Sequence, residues 1–409
     1  MLSVKRILRD YEDAGSVNSL ISLWGFVDDA AFLTKAGHVG IAYRLRGIDY
    51  EGLTHAQSAA IVHRLEAALR LLDEHWHLYQ YVVKRTIPPV SAATCSQPVA
   101  NEAIQERVSY LNGRRSELFE VRLFVVLLYE APTSARTSTS IRDLWKSPLA
   151  GLKNWLSPAQ ALRLLDEDLD RAVATLHHKA DAFQVQLNDI GLAKLPKAQA
   201  FRFFRELVNY DEAVIDAATL RYDTHVDYFV SDSGVDCHRD HLEVGDRAVK
   251  VLSMKEPPSQ TFAFLTQDLY EIPGEFVACL EWQRIPSDRM RRDVQSRRRH
   301  FFNKRVSIVN YVSPEARAEE MLVDDSANTT VRQLGDALTE LEVHGHFFGS
   351  CSLTLVLHGT DTRALQLQTA EVLLHEANAA GPSGRYQIEA AIQSAHMARC
   401  MSRDRKSVV

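Results

Sequence analysis

The order hairpin, helix, strand, helix, strand can be read twice along this chain, and nothing else in it constrains the fold as strongly. In the first pass, Ala31 to Arg46 alternates as a hairpin around the turn Lys35-Ala36-Gly37-His38. Thr54 caps a helix whose apolar residues Ile61, Leu65, Leu69 and Leu72 recur at helical spacing. A strand from Trp76 to Lys84, a helix from Val99 to Leu118 and a buried strand from Phe119 to Tyr129 follow. In the second pass, a hairpin closes with Asp246 to Met254, and a short helix lies near Phe262 to Leu269. Glu275 to Trp282 then reads as a strand, and Asp288 to Lys304 and Thr330 to Glu342 as helices. Cys351 to His358 alternates as a half-buried strand, and Asp361 caps a helix to His375. The recurrence is one of topology, without a residue-level repeat. It predicts an α+β fold of two lobes, each of mainly antiparallel sheet with packed helices and related topology.

Ala131 to Pro158 is rich in Ser, Thr and Pro and reads as a loop or linker. A long helix from Ala159 to about Phe183 leads to Pro196, placed to start a further helix over Lys197 to Tyr210. The expected division is a first lobe over 1–130, a linker or membrane-facing segment over 131–158 and a second lobe over 159–380. An unmatched tail covers 381–409.

A length of 409 residues is enough for about two domains with sizeable cores. The formal charge of −6 argues against bulk nucleic-acid binding. Cys95, Cys237, Cys279, Cys351 and Cys400 lie far apart with no C-x-x-C pair, so neither a disulfide framework nor a zinc ribbon is suggested, and a reducing compartment fits best. The N-terminus lacks the apolar stretch of a secretory signal, and the most apolar run, Leu123 to Tyr129, is far short of the roughly 20 residues that span a bilayer.

No glycine in the chain is followed by lysine. A phosphate loop ends in Gly-Lys-Ser/Thr because backbone amides cradle the phosphates, the lysine reaches the β- and γ-phosphates and the hydroxyl binds magnesium. These residues therefore hold no ordinary nucleotide-hydrolysing site. Strings resembling a Walker B strand, Leu71-Leu72-Asp73-Glu74 and Leu164-Leu165-Asp166-Glu167, fall on amphipathic helices and read as solvent-facing charge.

Asp28-Asp29 to Gly40 and Arg44-Leu45-Arg46-Gly47-Ile48-Asp49-Tyr50-Glu51 resemble the opening hairpin of the type IV secretion and conjugal-transfer ATPases of the TrbE/CagE/VirB type. Val249 to Pro258 with Ile272-Pro273-Gly274-Glu275 resemble the family's middle, and Arg298 to Lys304, Leu334 to Leu338 and Gly345 to Leu355 its later elements. The resemblance runs from about Leu20 to about Ala380. It implies the N-terminal, non-catalytic part of an enzyme that powers substrate or DNA transfer and pilus assembly. Such enzymes work at the cytoplasmic face of the bacterial inner membrane. ATP and magnesium belong to the family's RecA-like motor domain, so no catalytic, cofactor or metal residue carries over to this chain. The implied partners are other secretion-apparatus subunits, with self-association in the full-length form. Past about Gly381 the resemblance fails, and the last six residues read like a translated sequencing adapter. The expectation is therefore a truncated reading frame, against the alternative of a stand-alone interaction protein whose motor is a separate chain.

Three constellations remain. Arg291, Arg292, Arg298, Arg299 and Arg305 lie on adjoining faces of one helix, a candidate partner or phosphate surface. A helix that is solvated, or paired internally with the acidic stretch Glu315 to Asp325, is the default, and direct DNA contact is the least favoured because little aromatic stacking is interleaved. Trp145 and Trp155, in a segment with Arg142, Lys146 and Lys153, are candidates for membrane contact, against a loop that packs its tryptophans on the first lobe. Cys237-His238-Arg239-Asp240-His241, with His225, Asp227 and Asp236 nearby, offers metal ligands without a second pair. It reads as a polar hairpin loop, and a metal-dependent hydrolase built on it is the least favoured function.

Overall fold

The structure, a computed structural model, describes Val17 and residues 20–48, 51–131, 158–221, 225–254, 267–304, 325–343, 345–379 and 388–390. The first pass of the repeat is the hairpin β2 (Ala31–Thr34) and β3 (Val39–Leu45), preceded by β1 (Leu23–Phe26), then helix α1 (His55–Arg70), β4 (Trp76–Thr86), α2 (Pro98–Gly113) and β5 (Phe119–Tyr129). Helix α3 (Pro158–Gln186) and the short strand β6 (Leu192–Lys194) complete it. A connecting segment carries α4 (Lys197–Val208), α5 (Glu212–Ala217), α6 (Asp227–Val230) and β7 (Val235–Cys237). The second pass is the hairpin β8 (Leu242–Val244) and β9 (Arg247–Met254), α7 (Gln267–Glu271), β10 (Glu275–Arg284), α8 (Ser287–Lys304), α9 (Asp325–Glu342), β11 (Gly349–Gly359), α10 (Thr362–Ala379) and β12 (Ile388–Ala390).

All these strands join one 12-stranded sheet in the order β1-β2-β3-β5-β4-β10-β11-β9-β8-β7, with β6 added to β3 and β12 to β9. The two passes are thus laid out as mirror orders, β2-β3-β5-β4 and β10-β11-β9-β8. The equivalence extends to the small strands: β6 pairs with the last residues of β3, and β12 with the last residues of β9. The hairpin and inter-strand pairings are antiparallel, as in Val39↔Tyr129 to Leu45↔Leu123 and Thr354↔Ser253 to Gly359↔Ala248. The passes meet at β4 and β10. There the Tyr79 hydroxyl donates to Glu281 (3.1 Å) and the Thr86 amide to Glu275 (2.9 Å), indices that run in opposite directions and make this joint antiparallel too. The α+β class and the related topology of the two halves are as expected. The strands of the two expected lobes form one continuous sheet.

The residues fall into two compact units, 1–71 with 78–281 and 352–409, and 72–77 with 282–351. In the larger, alternation along each strand feeds two cores. On one face Ala42, Val83, Phe124, Val126, Val249 and Val277 pack with Phe201 and Phe203 of α4. On the other, Val82, Leu252, Phe276, Leu355 and Leu357 pack with Leu269 and Ile272 around α7 and Leu365 and Val372 of α10. Tyr43, wholly buried, donates its hydroxyl to the Ala180 carbonyl of α3 (3.2 Å). Thr54 forms a capping box with Gln57, which starts α1. In the smaller unit α8 and α9 pack against each other.

Candidate functional site

On the α4 face of the sheet lies a buried ionic network. Arg85 of β4 reaches Glu206 of α4 through Nε (2.9 Å), and Arg122 of β5 contacts the same Glu206 oxygen. Arg85 also binds Glu212 (3.0 Å) and the carbonyls of Glu206 and Asn209. Burial pushes the Glu206 carboxyl up, against the pull of Arg85, Arg122 and Arg202, and its Oε2 accepts nothing. Arg205, fully buried, donates to the carbonyls of Ile215, Phe229 and Val214 and pairs with Asp232 (2.7 Å). These charges tie α4–α6 to the sheet and leave no cation free for a substrate. On the opposite face Lys84 donates to the carbonyls of Tyr270 (2.8 Å) and Ile272 (2.5 Å) beneath the Phe119 ring, and burial lowers its pKa.

His358 of β11 sits at the rim of this network, fully buried, with both ring nitrogens unpaired by hydrogen bonds. Its ring stacks on Tyr210 at 4.5 Å, and Nδ1 is 3.6 Å from Glu275 Oε2. Burial, then Arg85 and Arg247, hold its pKa well below the usual imidazole value.

The arginine-rich helix is α8, in the smaller unit. Arg291 pairs with Glu342 of α9 (3.1 Å), and Arg292 Nε donates to the Asp288 carbonyl of its own helix (3.3 Å). Arg298 and Arg299 are exposed and line an open groove of about 820 Å³ between α8 and α9, across from Arg332. Arg298 lies over Gly335, where a Cβ would stand at an ordinary contact distance of 3.7 Å from the guanidinium. Asp336 and Glu342 also line the groove, so its charge is mixed. The expected internal partner was the stretch 315–325, whose side chains lie outside the described residues; the partner observed for Arg291 is Glu342. Arg305, Trp145 and Trp155 also lie outside the described residues. The Walker B-like Asp73 and Glu74, expected on a helix, instead follow the end of α1, where Asp73 accepts from the His75 amide (3.0 Å).

The Cys237–His241 cluster lies at the β7–β8 turn, as its polar composition predicted. The register Asp236↔Glu243 and Cys237↔Leu242 makes His238 and His241 the next opposed pair, closed by His238 N–H to the His241 carbonyl (3.0 Å). Side chains alternate along a strand, so Asp236, His238, His241 and Glu243 share one face and Cys237 the other. His238, His241 and Glu243 bring one ligand atom each to within 4.8 Å of one another. Cys237, the sulfur candidate, is not in the group, and Glu243, which the sequence reading passed over, is. A period of two across the hairpin was the signal for it. Of the other neighbours, His225 packs against Trp24 with its ring tilted by 40° (centroids 4.0 Å apart) and Asp227 pairs with Lys35 (2.8 Å).

No helix among the described residues is long and apolar enough to cross a membrane. No curated protein matches the chain. Residues 30–137 match the family model described as Type IV secretion system ATPase VirB4/TrbE, N-terminal domain. The match falls on the first pass of the repeat, β2 through β5, and takes in the β2–β3 hairpin and both Arg85 and Arg122, starting just after Asp28-Asp29. Over residues 30–137 the chain is therefore similar to the N-terminal domain of the type IV secretion system ATPases VirB4/TrbE.

Proposed function

We propose that this chain is the docking and assembly part of a type IV secretion or conjugal-transfer ATPase. In this reading it works at the cytoplasmic face of the bacterial inner membrane. It holds a separate motor domain, which supplies ATP and magnesium chemistry, against other subunits of the apparatus. The observation that carries the reading is the family match over 30–137 in a sequence where no glycine precedes a lysine. The α8–α9 groove is the surface with the chemistry for a protein partner. Arg298, Arg299 and Arg332 offer charge, Phe302 and Val331 apolar contact, and the carboxylates of Asp336 and Glu342 would repel a bare polyphosphate strand.

The test is crosslinking in bacteria carrying the secretion system, followed by identification of the trapped proteins. Inner-membrane apparatus subunits should be trapped, and fewer of them with R298E/R299E, while purified chain with Mg-ATP should turn over nothing. ATP hydrolysis that depends on this chain alone, or no crosslink to any apparatus subunit, would overturn the reading.

A further inference from the structure

We propose that the tip of the β7–β8 hairpin is a binding site for a borderline divalent transition-metal ion, zinc above all, held by His238, His241 and Glu243. The argument starts with the register. Opposed residues of an antiparallel pair stand about 4.5–5.5 Å apart, and every second residue faces the same way. His238 and His241 are opposed, with ring centroids 4.7 Å apart and planes at 12°, and Glu243 lies two residues along on the same face. Two imidazoles and a carboxylate make a donor set that suits zinc, nickel, cobalt or copper better than magnesium or calcium.

The distances are long for direct hydrogen bonds between these groups. Glu243 Oε2 lies 3.3 Å from His238 Nε2, and its Oε1 lies 3.6 Å from His241 Nε2. A charge-assisted N–H···O bond prefers about 2.7–2.9 Å, and a separation of 3.6 Å is no hydrogen bond. Zinc bonds of about 2.0–2.1 Å at tetrahedral angles place their donors about 3.3 Å apart. The two carboxylate–imidazole separations are close to that spacing, and one ligand atom from each of the three groups lies within 4.8 Å of the others, so a small closure brings them onto one ion.

The orientation of His241 points the same way. Its Nδ1 is 2.9 Å from Asp240 Oδ1, so an N–H there donates to the carboxylate and Nε2 keeps its lone pair toward Glu243. A carboxylate behind a ligating imidazole is the usual support of a metal-bound histidine. With three protein ligands the ion keeps a fourth position for water, and it clips the tip of the strand pair at the edge of the sheet.

The experiment uses the untagged full chain, stripped with a chelator and titrated with zinc in competition with a chromophoric chelator. Cobalt(II) is added in parallel for its visible spectrum. One equivalent of zinc should bind. H238A and H241A should each weaken it by more than about 100-fold, D240N by about 10- to 100-fold, and C237S not at all. Circular dichroism of each stripped variant reports whether it has folded. The wild-type cobalt spectrum, which depends on no variant, should be tetrahedral without thiolate-to-metal charge transfer. No zinc uptake by the wild type, binding unchanged in H238A/H241A, or a thiolate band lost in C237S would overturn the assignment.

Discussion

Asp28 Oδ2 lies 2.7 Å from Nε2 of His177, a residue 149 positions later on α3. The other carboxylate oxygen accepts from the amides of both Ala30 and Ala31, each at 2.7 Å. One side chain thus closes the β1–β2 turn and fastens it to the helix behind the sheet. Burial alone would raise the Asp28 pKa, but the two amides and His177 outweigh it and hold the carboxyl below its ordinary value. A carboxyl depressed in the fold stabilises fully above its unfolded pKa and loses that contribution as pH falls through the folded one. Asp28→Asn should cost about 1 kcal/mol at pH 7, a charge-assisted bond discounted for partial exposure, in denaturant melts. The gap between variant and parent should close in acid, below about pH 4.

Glu206 gives a larger effect through the same chemistry with the solvent removed. It is 1 % exposed and contacts two arginines from neighbouring strands. Removing one partner of a buried pair strands the other charge, at a cost of about 3–5 kcal/mol. Glu206→Gln should lower stability by that order. A double-mutant cycle with Arg85→Gln should show non-additivity, since the first change leaves Arg85 with Glu212 as its one remaining carboxylate partner.

The repeat and the α+β class were legible because they rest on local periodicity: β5 matches its predicted span of Phe119 to Tyr129, and Thr54 caps α1 as read. What joins the elements was not legible. Asp28 and His177 carry no signal linking them across 149 residues. The β4–β10 joint depends on Tyr79–Glu281 and Thr86–Glu275 contacts that no single-chain pattern announces. The three-residue strands β6 and β12 are too short for periodicity, although they prove equivalent in the two passes. At the β7–β8 turn the ligand types were noticed as five consecutive residues. Pairing across the hairpin replaces Cys237 by Glu243.

Gly40 sits in β3 between Phe32 and Leu128 of the flanking strands. A Cβ there would overlap the Phe32 ring and crowd the Leu127 carbonyl at 2.9 Å. The neighbouring Phe32 is 4 % exposed and packs edge-on against Phe204 at 5.0 Å, so it has little room to yield. Gly40→Ala should therefore destabilise by about 1–3 kcal/mol despite the better strand propensity of the larger residue, as thermal unfolding will report.

His358 makes the fold acid-sensitive in a window distinct from that of Asp28. Its imidazole is kept neutral by burial, and by Arg85 and Arg247 beside it, so protonation is deferred to a pH well below 6.5. The unfolded chain takes up that proton near the ordinary value. Between the two values the unfolded state binds more protons, so stability falls as pH drops from about 6.5. Glu275, 3.6 Å from Nδ1, is too far to supply a hydrogen bond that would hold the charge. Replacing the ring by Phe removes the titration and the unpaired nitrogens while keeping a flat partner for Tyr210 at 4.5 Å. His358→Phe should flatten the stability profile between pH 7 and 5 and leave stability at pH 7 unchanged or raised by about 1 kcal/mol. Urea midpoints across that range measure both effects. A parent slope that persists in the variant would place the acid sensitivity in another group.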